Sequence, residues 1–121
     1  RWRGVEEVPM KQRAIVLIPF PFSDQSGTKV RPGLIISNTK YNIHGNDVLI
    51  CTISSVLAKS PYTVLLSPED LDEGVLYEKS AIKVENIAKI QKSLIIKTIG
   101  SIKQATFQKV QTRLTELFSG S

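Results

Sequence analysis

Arg31 is followed by Pro32 and the apolar run GLIIS, while Thr52 and Ser54 stand two residues apart in DVLICTIS. A guanidinium stays charged at neutral pH, and its planar fork donates to two oxygens of one phosphate or carboxylate. Side chains alternate along a strand, so the hydroxyls of Thr52 and Ser54 share a face at its exit. On residue pattern alone, Arg31 is either an anion-binding group beside a Gly-containing loop or a solvated charge at a strand edge. A strand-end hydroxyl is likewise more often structural than chemical.

Other chemistries find less support. His44, the one histidine, sits among Asn42, Gly45 and Asn46 and reads as a turn residue rather than an acid or base. Cys51 is flanked by Ile50 and Thr52, with Ile53 beyond, and is expected to be a buried thiol. One His and one Cys do not furnish a dedicated zinc site. Gly27 lies in a loop that leads to a strand, without the Lys-Ser/Thr pair and helix of a nucleotide cradle. No metal and no cofactor is expected. Lys29, Lys40, Lys79 and Lys83 are candidates for tracking a phosphate chain, and Phe20, Phe22 and Tyr41 for stacking bases, the way single strands are held.

The chain has 121 residues, enough for one core and too few for two. Sixteen Lys and Arg against eleven Asp and Glu give a formal charge of +5, a bias toward polyanions or acidic protein segments. A lone cysteine excludes an internal disulfide and suits a reducing compartment. No apolar run reaches the roughly 18 residues of a membrane span, and RWRGVEEVPM lacks a signal-peptide core. A cytoplasmic protein without a membrane partner is expected. Residues 1–9 read as an extension outside the core, and residues 10–121 as a single domain.

Short β-branched runs dominate what remains. AIVLIPF from Ala14 is a strand ended by Pro21; FSDQSGTKV is a polar surface loop; GLIIS is a strand apolar enough for burial on both faces, with Pro32 at its first position. Asn38 to Asn46 reads as a turn into DVLICTIS. YTVLLS is a fourth strand, and PEDLDEGV a turn or single helical turn closed by Gly74. SAIKVENIAKI is a fifth, bent or bulged at Glu85-Asn86, and Leu94 to Ile99 a sixth, stopped by Gly100. Then the period changes: Phe107, Val110, Leu114, Leu117 and Phe118 recur at helical spacing, with Ser101 as the expected N-cap and Ser119-Gly120 as the stop. These elements predict a mainly β fold, a strongly bent antiparallel sheet or barrel with a C-terminal α-helix across an open end.

Several of these strings, in this order, resemble the MazF/PemK toxins. IVLIPFPFSDQSGTKVRPGLIIS resembles the family's opening, DVLICTISS its next strand with a terminal hydroxyl pair, GVLYEKSAIKVENIAKI a later strand, and Ile99-Gly100 before an amphipathic helix its ending. The resemblance spans nearly all of residues 11–118. It implies an SH3-like barrel, a homodimer, and a toxin that cuts single-stranded RNA, mRNA included, at selected sequences without a metal. It also implies control by a cognate antitoxin whose acidic, flexible segment covers the active surface.

Carried onto this chain, the resemblance makes Arg31 the catalytic arginine and Ser54 the occupant of a position where the family has threonine. Serine keeps the hydroxyl but loses the methyl that restricts its rotamer. Thr52 is the alternate if the register shifts by two; Ser55 and Lys29 are expected RNA contacts. A PemK branch with an Arg-x-Asp pair on the later strand is met here by Lys83 and Glu85, a phosphate contact or an ordinary surface ion pair. That branch's loop histidine is replaced by Ser23, Asp24 and Gln25. Two alternatives stand beside the nuclease: a noncatalytic toxin on the same barrel, similar to the CcdB gyrase poisons, and a degenerate paralogue that binds RNA or antitoxin without cutting.

Overall fold

A computed structural model describes residues 10–20, 29–57 and 60–120. Seven strands form one sheet: β1 (Ala14–Phe20), β2 (Lys29–Ile35), β3 (Asp47–Ser54), β4 (Thr63–Leu66), β5 (Leu71–Glu73), β6 (Ser80–Gln91) and β7 (Lys97–Ile102). Their spatial order is β4-β6-β3-β2-β1-β7-β5, with antiparallel pairing throughout. The sheet curls into a half-barrel and is joined by the helices α1 (Thr39–His44) and α2 (Gln104–Leu117). The mainly β architecture with a terminal helix is therefore as the sequence predicts.

Alternation along the central strands builds two cores. Leu34, Cys51, Ile53, Ile82 and Val84 join Phe107 and Val110 of α2 on one face; Val16, Ile18, Ile35, Val48, Ile50 and Ile90 pack on the other. β2 and β3 thus bury side chains in both directions, as the near-continuous apolar run GLIIS suggested. Helix α2 lies against β4 and β6. Leu114 packs at the margin of its core, whereas Phe118, beyond the last helical turn, is exposed.

Several local expectations change or gain detail. Asn38 to Asn46 holds a helix rather than a turn: the Asn38 carboxamide oxygen caps it by accepting the Tyr41 N–H at 2.8 Å. Six residues are too few for a helical period to register in sequence. Its one buried residue, Asn42, donates to the carbonyls of Met10 (2.8 Å) and Ser37 (3.1 Å), and its own carbonyl accepts the Lys92 ammonium at 2.7 Å. Ser101 does not cap α2, because it is consumed in β7 opposite Ala14 and Glu73. Lys103 holds that position, and Asp70 ties down the first turn by accepting from the Lys103 N–H (2.8 Å) and the Thr106 hydroxyl (3.0 Å). PEDLDEGV contains a 3-10 turn at Pro68–Asp70 and then β5, which Gly74 closes at φ +90°. Gly100 lies inside β7 instead of stopping it; a Cβ there would meet the Glu73 carbonyl oxygen at 2.5 Å, so glycine lets β5 approach.

Pro32 is the fourth residue of β2, not the first, and its place decides the shape of the site. The Ile36 N–H donates to the Leu49 carbonyl of β3 at 2.9 Å. N–H groups alternate sides along a strand, so those of residues 34 and 32 face β3 as well. Residue 32 has none to give. Pairing of β2 with β3 accordingly ends at Gly33 opposite Thr52, while β2 stays paired with β1 out to Lys29 opposite Phe20.

Candidate active site

A cleft opens where β2 leaves β3. It has two adjoining depressions, of about 460 Å³ and 340 Å³, and Arg31, Pro32, Ile53 and Ser54 border both. Lys29 and Ser55 border the larger, with Val75, Tyr77, Glu78 and Ser80; Thr52, Lys83 and Asn86 border the smaller. The expected catalytic pair, Arg31 and Ser54, and the expected RNA contacts Thr52, Lys29 and Ser55 all border this cleft, although 26 positions separate Lys29 from Ser55.

Electrostatically the cleft is cationic at its centre. Arg31 is exposed and takes no part in the ion pairs among the described residues, which join Arg13 to Asp72, Lys89 to Asp47 and Arg113 to Glu116. Lys29 is exposed on the same rim. The Ser54 oxygen accepts the Val56 N–H at 3.0 Å, which fixes its position and leaves the hydroxyl proton for a ligand oxygen. A guanidinium and a hydroxyl on opposite banks of a cleft can bind a phosphodiester and stabilise added negative charge on its oxygens.

The smaller depression holds Asn86, which the sequence marked as part of a bend or bulge and not as a site residue. Cys51 pairs with Ile87 of β6, but the next residue, Thr52, pairs with Lys83, so Val84, Glu85 and Asn86 bulge out of the ladder. The bulge carries Asn86 to the cleft, where its amide donates to the Thr52 hydroxyl at 3.3 Å. Glu85 accepts the Ser60 hydroxyl at 2.7 Å, whereas Lys83 borders the cleft.

Three candidates lie elsewhere. Lys40, Tyr41 and His44 border a separate depression on α1, with His44 the last residue of that helix rather than part of a turn. Phe22, Ser23, Asp24, Gln25 and Gly27 lie outside the described residues, as do residues 1–9 and the Phe20 side chain. Cys51 is fully buried, and burial pushes its thiol pKa up to about 12, so it is a core residue. Among the described residues no three His, Cys, Asp or Glu side chains gather as a metal site, and no helix is long and apolar enough to cross a membrane.

Residues 11–118 match the family described as PemK-like, MazF-like toxin of type II toxin-antitoxin system. The chain belongs to this toxin family. No curated protein sequence matches it. Among solved structures, an endoribonuclease from Mycobacterial species is similar at 20% identity and TM-score 0.72, with 90% of each chain covered. A MazE-MazF crystal structure from Deinococcus radiodurans is similar at 18% identity and TM-score 0.76, covering 94% of this MazF-like chain and 100% of that one. The Mycobacterium tuberculosis toxin MazF-mt6 is similar at 18% identity and TM-score 0.70, covering 88% and 96%. At these identities the likeness is one of fold.

Proposed function

We propose that the cleft is the active site of a metal-independent endoribonuclease that cuts single-stranded RNA at selected sequences. The observation that carries this reading is the pairing of Arg31 with Ser54 across both depressions where β2 and β3 part. Membership of the toxin family and the endoribonuclease among its structural relatives support it.

In the reaction, the 2′-oxygen of a ribose attacks the adjacent phosphorus and loses its proton. The bond to the 5′-oxygen breaks, and that oxygen takes a proton. The products are a 2′,3′-cyclic phosphate and a free 5′-OH. Arg31 donates to the nonbridging oxygens as charge builds on them, and the Ser54 hydroxyl donates to one of these oxygens or relays a proton. Lys29, Ser55 and Thr52 contact the flanking backbone. A second copy of the chain frames the groove. The cognate antitoxin lays an acidic, flexible segment along the cationic rim, a partnership supported by the MazE-MazF relative.

The test is incubation of purified protein with a long RNA in EDTA, followed by mapping of fragment 5′ ends, for wild type and Arg31→Ala. Recurrent cuts by wild type, lost in Arg31→Ala, are expected. Absence of cuts by wild type, with inhibition of gyrase in a parallel assay, would replace this reading with a gyrase-binding toxin.

A further inference from the structure

Outside the phosphate-binding centre, the most unusual exposed group is Tyr77. It lies between Gly74 and Ser80, on the connection from β5 to β6, and the residue is 92% accessible. Val75 on the same connection and Val30 on β2 are 71% and 52% accessible. Val75, Tyr77 and Val30 border the larger depression together with Lys29, Arg31 and Ser54. Apolar and aromatic surface is thus placed beside the cations of the cleft.

Both ends of this connection are held. At Gly74 the backbone has φ +90° and passes so close to β7 that a Cβ would lie 2.4 Å from the Ile99 carbonyl oxygen. At the other end Ser80 is buried and is paired with Leu66 of β4. Anchoring at both ends limits the backbone that a ligand would have to order, and the near-complete exposure of Tyr77 leaves its ring open to a base. The larger depression, about 460 Å³, falls within the roughly 300–1,000 Å³ of small-ligand sites. A base has a flat apolar face and is tethered to phosphate, which matches a phenol ring beside Arg31 and Lys29.

We propose that Tyr77 is a base-stacking platform that holds the nucleotide next to the phosphate bound by Arg31, with Val75 and Val30 bordering the same subsite. The assignment rests on the nuclease reading of the cleft. It assigns the aromatic role to a residue distinct from Phe20, Phe22 and Tyr41, and it makes the β5–β6 connection a determinant of which sequences are held.

The probe is a fluorescent 2′-O-methyl RNA of mixed sequence, which cannot be cut because its 2′-oxygen is blocked, compared with a strand abasic at every position. Anisotropy is read for wild type, Tyr77→Ala, Tyr77→Phe and Tyr77→Trp. Stacking predicts binding by Tyr77→Ala weaker on the order of tenfold, retained affinity in Phe and Trp, and no difference among the four on the abasic strand. On cleavable RNA the loss falls on KM rather than on kcat. Wild-type binding too weak to detect, unchanged binding by Tyr77→Ala, or equal losses in Ala and Phe overturns the assignment. So does dissociation of a wild-type dimer by Tyr77→Ala in sedimentation, which would give the ring to a subunit contact. Failure of wild type to cut RNA overturns the nuclease instead, and the anisotropy comparison remains readable.

Discussion

Arg31 and Ser54 border the same cleft from opposite banks, one on β2 and the other at the last position of β3, just beyond the point where the two strands stop pairing. The arginine brings a planar cationic donor and the serine a hydroxyl donor, and Pro32 keeps the strands from zipping over the space between them.

Arg31→Ala is expected to lower the cleavage rate by about 10²-fold or more, the usual cost of losing one well-placed donor to a charged transition state. Because the side chain is exposed, the melting temperature should stay within a degree or two of wild type. Arg31→Lys keeps the charge without the fork and should fall between the two. Initial rates on one RNA substrate, with thermal denaturation by circular dichroism, check both points.

At Ser54 two substitutions separate the hydroxyl from the side chain's freedom. Ser54→Ala should lower single-turnover cleavage at least roughly tenfold, since proton transfer by a positioned side chain typically contributes about 10²–10⁴-fold. Ser54→Thr retains the oxygen and adds a methyl that limits χ1, so its rate should equal or exceed that of wild type. A rate for Ser54→Ala equal to wild type would remove Ser54 from the chemistry.

Gly74 and Gly45 make a contrast in stability. A Cβ at Gly74 meets the Ile99 carbonyl oxygen at 2.4 Å and the residue's φ is +90°, whereas one at Gly45 finds only the Asp47 nitrogen at 3.9 Å. Gly74→Ala should therefore cost about 2 kcal/mol or more, and Gly45→Ala within about 0.5 kcal/mol of nothing. Urea denaturation of the two variants reads the difference directly.

The Cys51 thiol is raised from 9.0 to about 12 by burial. The unfolded chain releases this proton near 9 and the folded chain near 12, so between those values the native state binds more protons. Stability should consequently fall as pH rises through that window, and the contribution is fully present below it. Denaturation midpoints from pH 8 to roughly 11 should decline less in Cys51→Ala than in wild type after subtraction of their neutral-pH difference. Iodoacetamide should label native Cys51 only at the rate of unfolding.

Much of this architecture was legible because alternation is a strong signal. Val48, Ile50, Thr52 and Ser54 on one face, and Cys51 and Ile53 on the other, give β3 its orientation from sequence alone. Residue pattern alone left Arg31 and Ser54 open between a structural and a chemical role, and the resemblance to the toxin family singled them out. What escaped was nonlocal or too short. Helix α1 completes fewer than two turns and is held by Asn42, whose partners Met10 and Lys92 are 32 and 50 residues away. Ser101 looked like a cap until β1 and β5 claimed it from both sides. Asn86 reaches the cleft through a bulge whose direction depends on β3, and Tyr77 through a connection pinned by the close crossing of β5 and β7.

Burial of β3 between two clusters sets where the molecule opens last. Exposing its amides requires breaking the packing on both faces, so they should exchange with deuterated solvent only in the global unfolding event, while the free edges β4 and β5 open earlier. Ser54 stands at the end of that slowest strand. The cleft's hydroxyl bank is thereby tied to the most persistent part of the fold, so the edges of the sheet can breathe without displacing it.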